Sequence, residues 1–402
     1  MLAAFLVILR NPAIRVAALT LFACGLTYGA TLPYLPIVAI HEFGMSDRML
    51  SILLFAIAFA NLAYGVSVAI LSDVIADRKP LLLAVTLCGG IGFGLIYLAQ
   101  QITVFVVCAV LLVPISNSSY SLLFASTRSL SLPLGSKAAT AVNQVVRALF
   151  SGSWVLVPGL MALWLVHSKS MLPAWGFSSL ACMFSFLVVL VFMPKLKSDA
   201  GAGAPKITFF ASLRMATTPL MLSRIFFMSL VIACSRLVAV IQPLILTGVA
   251  GGKITDVGLI AGACAALEIP FMLIWGVLLK RLSVLQALAV GAGIYAIFMA
   301  MLSFATAPWQ IYLLVIPNAF GAAAILSLPL SYYQDLLIER PGLGTSLNQM
   351  TAFVSTGMSA AAFAVGAHAF GYSGTAWLGV GMAIAGIAGL LLLERRQAIV
   401  AT

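Results

Sequence analysis

Long apolar runs alternate with short polar segments along almost the whole chain. Each run has about twenty residues or more, and a helix of that length crosses a hydrocarbon core of about 30 Å. The pattern therefore predicts twelve membrane-spanning helices. We place them near residues 13–40, 49–71, 80–100, 102–127, 138–167 and 172–193, and then near 219–248, 254–279, 284–305, 309–336, 343–370 and 372–393.

One polar segment is longer than the others and divides the pattern in two. It extends from residue 194 to residue 218, begins with Pro194 and Lys195, and continues through a stretch rich in glycine and alanine. Segments of this composition are typical of linkers. We therefore predict an all-α membrane protein with two six-helix bundles, at residues 1–193 and 219–402, joined by a cytoplasmic linker at 194–218.

The composition agrees with this class. Hydrophobic residues make up 63% of the chain, and charged residues make up 8%, against roughly 25% in a soluble domain. The net charge of +11 could indicate a nucleic-acid-binding protein, but the basic residues occur singly or in pairs between apolar runs. Nucleic-acid binding needs them clustered on a water-facing surface. We expect a lipid bilayer as the environment and no nucleic acid as a partner.

The positions of the basic residues predict the orientation. With both ends on the same side of the membrane, sixteen of the 21 Lys and Arg residues lie on that side and three lie on the opposite side. Basic residues concentrate on the cytoplasmic side of membrane proteins. We therefore predict a multi-pass protein of the cell inner membrane whose N- and C-termini are both cytoplasmic.

The two halves repeat each other. Adjacent basic residues follow the second span of each half, Arg78-Lys79 in the first and Lys280-Arg281 in the second, at a separation of 202 positions. The first span of each half also contains a proline near its outer end. Parallel repeats of this kind are typical of transporters that bind their solute near the midplane of the membrane.

Three charged residues fall inside the predicted spans: Arg147, Arg236 and Glu268. Glu268 lies about 18 Å along its helix from Lys280, which places it near mid-membrane. A charged residue at that depth costs about 2.5–3.5 kcal/mol on insertion scales, so it indicates a functional site. We expect Glu268 to exchange a proton or to form a gating ion pair with Arg147 or Arg236. A static structural ion pair is the alternative.

The loop after the second span resembles the signature loop of the major facilitator superfamily. The matching residues are Asp73, Asp77, Arg78 and Lys79, whereas Val74 and Ala76 stand where the signature has a basic residue and a glycine. An aspartate in this loop can interact with the positive end of a facing helix. A solvated loop charge is the alternative explanation.

The second half resembles the bacterial sugar efflux transporter family of that superfamily. The residues that indicate it are Leu267-Glu268-Ile269-Pro270, Met272-Leu273-Ile274, Gly276, Lys280-Arg281-Leu282, Asn318-Ala319, Tyr332, Gln334-Asp335-Leu336, Thr345 and Leu347, with Arg147-Ala148, Ser151, Trp154 and Pro158 from the first half. The resemblance implies that the fifth and eighth spans are neighbours. Arg147 is therefore the favoured partner of Glu268, and Arg236 is its competitor.

Neutral polar and aromatic residues in the spans are of the kind that binds a sugar, because amides hydrogen-bond hydroxyl groups and flat rings cover the apolar face of the sugar. Such residues also join helices to one another, which is the alternative. Gln144, Arg147 and Trp154 share one helix face and are our first choice. The predicted solute-binding residues are Tyr28, Asn117, Gln144, Arg147, Trp154, Gln242, Glu268, Asn318 and Asn348. Further candidates are Asn61, Tyr120, Asn143, Tyr332, Gln334 and Gln349.

Proton coupling or gating is assigned to the charged residues. The predicted set is Glu268, Arg147, Arg236, Asp73, Arg78, Arg128 and Asp335. Asp73, Arg128 and Asp335 could form a network at the inner face, or they could anchor the topology.

These features and the resemblance predict a secondary active transporter that works by alternating access. We expect proton-coupled efflux of a sugar or a similar small polar solute, and a proton antiporter for drug-like amphipaths is the alternative. An intramembrane enzyme would need a second acid, a histidine or a metal cluster at the depth of Glu268, and the sequence offers none. We expect no cofactor, no metal and a monomer.

Overall fold

The computed structural model of the chain describes residues 2–75, 77–166, 168, 170–196, 218–336 and 341–401, and the regular elements among them are helices. The all-α class is therefore confirmed. The helices are α1 (Leu2–Arg10), α2 (Pro12–Glu42), α3 (Asp47–Val74), α4 (Lys79–Ala99), α5 (Ile102–Leu134), α6 (Ser136–Trp164), α7 (Pro173–Phe192), α8 (Pro219–Thr247), α9 (Ile254–Leu278), α10 (Val284–Leu302), α11 (Pro308–Leu336) and α12 (Pro341–Ala401).

Within the described residues, eleven helices are long and apolar enough to cross a membrane. The last of them contains an apolar stretch of 49 residues, Leu347–Arg395, which as a straight helix would measure about 74 Å, more than twice the hydrocarbon thickness. Gly371 interrupts it with φ 67° and ψ −179°. A Cβ added at Gly366 would lie 2.7 Å from the side chain of Thr375, so the helix folds back on itself there. α12 therefore supplies two spans, and the predicted twelve are confirmed.

The chain forms two compact units. Unit 1 contains Met1–Met45 and Ala56–Ala204, and unit 2 contains Ser46–Phe55 and Pro205–Thr402. The start of α3 groups with unit 2. Its contacts there include the Tyr372 hydroxyl, which donates to Asp47 Oδ1 at 2.8 Å, and the ring of Phe353, which lies 6.3 Å from that of Phe55. Most of the predicted linker, residues 197–217, lies outside the described residues.

Close approach of α2 and α6 in unit 1 depends on a glycine. A Cβ added at Gly29 would lie 3.1 Å from Val157 Cβ and 3.3 Å from the backbone oxygen of Ser153. On the same helix, the fully buried Tyr34 donates its hydroxyl to the backbone oxygen of Pro158 at 3.0 Å. These contacts fix the sliding and rotation of α2 against α6.

Candidate functional site

Four aromatic residues of unit 1 form a continuous cluster: Tyr28 on α2, Tyr120 on α5, and Phe150 and Trp154 on α6. The rings of Tyr28 and Trp154 have centroids 6.4 Å apart at 30°. Phe150 meets Tyr28 edge-on at 6.0 Å and Tyr120 at 4.8 Å. We call these residues the aromatic cluster. Tyr28 and Trp154 are half-buried, so part of each ring remains available to a ligand.

Two polar residues lie on the same helix as the cluster. Gln144 and Arg147 are exposed and one turn apart, and Arg147 lies within electrostatic range of Tyr120. The helical spacing places Arg147 on the same face as Trp154. The exposed guanidinium near the rings, with the exposed amide one turn further along the helix, can donate hydrogen bonds to a ligand that stacks on those rings.

An amide pair connects α5 to α3 in unit 1. Asn117 Nδ2 donates to Asn61 Oδ1 at 2.9 Å. A π-helical turn at Cys108–Leu112 precedes Pro114, where the missing N–H of proline removes a helical hydrogen bond. The π turn rotates the rest of α5, including Asn117, and turns of this kind are frequent at functional sites.

Unit 2 contains a second amide pair, between α11 and α8. Asn318 is 4% exposed, and its Nδ2 donates to Gln242 Oε1 at 3.4 Å. Gln242 is half-buried, as are Ser235, two turns earlier on the same helix face, and Asn348 on α12. The two amide pairs were not predicted as pairs, although all four residues were predicted as candidates.

Glu268 is half-buried on α9, and its carboxylate accepts a hydrogen bond from Cys264 at 3.6 Å. Cys264 lies four residues earlier, on the same helix face. Tyr295 of α10 lies within electrostatic range of both side chains. Pro270 follows two residues later and cannot donate to the backbone oxygen of Ala266, which adds a polar group to this region.

Two arginines were predicted as charge partners of Glu268. Arg236 is exposed on α8, and within the described part of unit 2 it forms no ion pair with Glu268. Arg147 belongs to unit 1 and Glu268 to unit 2, so their pairing stays a prediction.

The loop after α3 is held within unit 1. Arg78 is 8% exposed, and its Nε donates to the backbone oxygen of Ser72 at 3.2 Å. Asp77 Oδ1 accepts from the backbone N–H groups of Lys79 at 3.0 Å and Leu196 at 2.9 Å. These bonds fasten the loop to the chain that follows α7, so a structural role of Arg78 and Asp77 is evident.

The remaining predicted gating residues are less constrained. Arg128 on α5 and Asp335 on α11 are exposed. The side chain of Asp73 lies outside the described residues. A network of Asp73, Arg128 and Asp335 stays a prediction.

One ion pair, between a buried arginine and a partly exposed glutamate, was not predicted. Arg224 of α8 is 5% exposed, and its Nη2 lies 3.1 Å from Oε1 of Glu394 on α12. The hydroxyl of Tyr332 on α11 donates to the same oxygen at 2.9 Å. Three helices of unit 2 therefore meet at one carboxylate. The sequence signal was the single acid that directly follows the last predicted span.

Metal binding finds no support in the described residues, which hold no group of three or more His, Cys, Asp or Glu side chains that could bind an ion. All six cysteines are free. The candidate site therefore offers a ligand aromatic rings for stacking, neutral amides for hydrogen bonds, and the carboxylate of Glu268.

No protein-family model matches the chain. Curated relatives do: it is 26% identical over 381 residues to sugar efflux transporter C of Escherichia coli, covering 93% of this chain and 94% of the relative. It is 27% identical over 364 residues to sugar efflux transporter A of Dickeya chrysanthemi, covering 87% and 88%. The resemblance predicted from the motifs is confirmed.

Solved structures share the fold. The nucleoside transporter NupG superposes with a TM-score of 0.80 at 12% identity, covering 98% of this chain and all of that one. The peptide transporter POT superposes with a TM-score of 0.77 at 12% identity, covering 95% and 94%. The relatives and the structural neighbours are named as transporters, so the chain is a multi-pass membrane transporter with a major facilitator fold and not an enzyme.

Proposed function

We propose that this chain, a membrane transporter whose curated relatives are named for sugar efflux, exports a sugar or a similar small polar solute in exchange for protons. Export proceeds by alternating access, in which the solute site opens to one side of the membrane at a time. The termini lie in the cytoplasm, as the distribution of basic residues predicts.

The observation that supports a polar, ring-shaped solute is the aromatic cluster with Gln144 and Arg147 beside it. Tyr28 and Trp154 offer flat, half-buried faces only 30° from parallel. The C–H face of a sugar ring stacks on such faces, while its hydroxyl groups need donors and acceptors at the edge. Gln144 and Arg147 provide donors at that edge, and Gln144 also provides an acceptor.

Glu268 is the proton-binding group in this proposal. Its hydrogen bond from Cys264 is a thiol bond, which is weak, so the carboxylate is poorly compensated within its own helix. A carboxylate at mid-membrane depth then alternates between a protonated state and a state paired with a cation, for which Arg147 is the proposed partner. Solute release and proton uptake are linked because both depend on which side the site faces.

Transport by everted membrane vesicles tests this function directly. The vesicles are prepared from a bacterial host that expresses the chain, so their cytoplasmic face is outside and respiration acidifies the lumen. Radiolabelled glucose and lactose, and separately a cationic dye, are added outside. We expect uptake of a sugar that depends on the chain and stops when a protonophore collapses the gradient.

Each alternative outcome has a defined meaning. Gradient-dependent uptake of the dye without uptake of any sugar would contradict the proposal and favour the drug antiporter. Sugar uptake that is unaffected by the protonophore would leave sugar export standing and remove the proton coupling. Vesicles from the host without the chain provide the baseline.

A further inference from the structure

In the amide pair of unit 2, Asn318 is the donor and Gln242 is the acceptor. Asn318 Nδ2 donates to Gln242 Oε1, so the acceptor end of Gln242 is occupied by a residue that is itself 4% exposed. The other end of the same amide, Gln242 Nε2, is buried and has no hydrogen-bond partner among the described residues. An amide NH2 group carries two donors. Buried donors are almost always satisfied in native proteins, so this group points to a missing acceptor.

The rotation of α8 places Gln242 at the edge of the core of unit 2. Most residues around Gln242 are buried, Ile241, Pro243 and Leu244 among them. Gln242 itself is half-buried, and on the same helical face Ser235 is half-buried and Ala239 is exposed. The Gln242 side chain therefore lies at the boundary between the packed helices and the open face of α8, and its Nε2 is covered.

An asparagine at the corresponding position of unit 1 also donates to an amide of another helix, but its partner Asn61 lies on the second span of that half, whereas Gln242 lies on the first span of the second half. Asn117 and Asn318 are 201 positions apart, close to the separation of 202 between the paired basic residues of the two halves. In both units the asparagine of this helix donates to the amide oxygen of a neighbouring helix. In both, the NH2 group of the accepting amide takes no part in the hydrogen bond of the pair.

We propose that Gln242 Nε2 is a specificity-determining donor that binds an acceptor oxygen of the solute, a hydroxyl or ring oxygen of a sugar. Asn318 is a positioning residue, because its bond to Oε1 prevents the Gln242 amide from turning over. This inference rests on the proposed sugar export. It adds which partner donates in one hydrogen bond between the protein and the solute. At one ring position the solute must accept a hydrogen bond and need not donate one.

Sugar analogues distinguish acceptance from donation. A deoxyfluoro analogue keeps a weak acceptor at the substituted position, and a deoxy analogue has neither a donor nor an acceptor. Each is used as a competitor of radiolabelled glucose, or of lactose if glucose is not exported, in everted vesicles that contain the full chain. We expect one ring position at which the wild type tolerates fluorine but binds the deoxy analogue about 3- to 10-fold more weakly, as for the loss of one hydrogen bond.

Two substitutions assign that position to the amide pair. In Gln242→Leu, the affinity for the parent sugar should fall to the affinity for the analogue that is deoxy at that position. The variant then no longer discriminates between the two. In Asn318→Leu, the Gln242 amide is free to turn and can present either its NH2 group or its oxygen to the solute. The difference in affinity between the fluoro and deoxy analogues should therefore shrink, whereas a sugar with a hydroxyl at that position should still bind. The double variant should match Gln242→Leu, because Asn318 acts only through Gln242.

A matched control removes an exposed amide that belongs to no predicted site. Gln101 directly precedes α5, makes no capping hydrogen bond with its side chain, and lies sixteen residues, or about 24 Å, from Asn117. Gln101→Leu should keep both the transport rate and the pattern of analogue preference. Purified variants are compared by melting temperature, and Asn318→Ala replaces Asn318→Leu if the larger side chain prevents folding.

The outcomes separate this inference from the proposed function. If the wild type exports neither sugar, the proposed function fails and the inference falls with it. If the wild type exports a sugar but Gln242→Leu changes discrimination at no ring position, sugar export stands and the inference is overturned. A second result would also overturn the inference. If the wild type binds the fluoro analogue as weakly as the deoxy analogue at the position that Gln242→Leu affects, Gln242 does not act there as a donor to the solute.

Discussion

At the scale of single residues, Glu268 differs from Glu42 and Glu394, the other two glutamates that the structure describes. Glu42 accepts from the Met171 backbone N–H at 2.6 Å, and Glu394 faces an arginine. Glu268 has a thiol as its donor. A carboxylate with strong donors is held in its charged form, whereas one with a weak donor can gain and lose a proton more freely.

Glu268→Gln is therefore expected to abolish proton-driven sugar uptake, because glutamine cannot release a proton. Uptake in everted vesicles should fall to the rate measured without a gradient. Exchange of labelled for unlabelled sugar across the membrane should persist, because it needs no net proton movement.

Glu42→Gln is the matched control for this substitution, since its amide oxygen still accepts from Met171. It should retain gradient-driven uptake. Gradient-driven uptake that survived in Glu268→Gln would exclude Glu268 as the proton carrier.

Trp154→Leu should weaken sugar binding. The substitution removes the ring that faces Tyr28 at 6.4 Å, and an aromatic contact contributes about 0.5–1.5 kcal/mol. We expect KM for the exported sugar to rise about 2- to 10-fold with little change in maximal rate, and Trp154→Phe to recover most of the loss. Trp164 on the same helix is 57% exposed, so Trp164→Leu should leave KM unchanged.

At the scale of helices, the site depends on close packing between α2 and α6. Tyr28 and Trp154 meet because Gly29 allows the two helices to approach, and Tyr34 fixes their register through Pro158. Any side chain at position 29 must displace Val157 or the backbone of Ser153.

Gly29→Val should therefore both destabilise the protein and weaken sugar binding. Overpacking of this kind costs about 1–3 kcal/mol, which lowers the melting temperature of the purified protein in detergent. Gly159 on α6 has open space where a Cβ would be added, so Gly159→Val is the control. Equal melting temperatures for the two variants would show that the α2–α6 contact does not limit stability.

The carboxylate of Glu394 stabilises a junction of three helices, α8, α11 and α12. Glu394→Ala removes the acid that faces the buried Arg224 and the acceptor of the Tyr332 hydroxyl. Glu394 is 38% exposed, so water screens part of its interaction with Arg224. We therefore expect the free energy of unfolding to fall by only about 1–3 kcal/mol, which is measured as a lower melting temperature. Tyr332→Phe should lose less, and Arg395→Ala, at an exposed neighbour, should lose almost nothing.

How far the sequence predicts these features depends on the physical origin of each. The spans followed from apolar runs, because bilayer thickness sets their length, and Gly371 fell between the last two predicted spans. The partner of Asn318 could not be predicted, because it depends on the rotation of α8 against α11. The pair of Arg224 and Glu394 was missed because charged residues at span ends usually act as membrane anchors, and these two are 170 positions apart.

At the scale of the whole molecule, the distribution of basic residues predicts which side of the membrane each end occupies. A green fluorescent protein fused after Thr402 should fluoresce, and alkaline phosphatase at the same place should be inactive, because the phosphatase needs the oxidising periplasm. Phosphatase fused after Thr306, in the turn between α10 and α11, should be active. The reverse pattern would contradict the predicted orientation.

Gly371 has a consequence for biosynthesis. The two arms of α12 have no loop between them, since a single residue with φ 67° reverses the chain. The ribosome therefore delivers the last two spans as one helical hairpin, with no hydrophilic segment to translocate between them. Their insertion should be concerted, so a substitution that blocks membrane entry of either arm should trap both arms outside the bilayer.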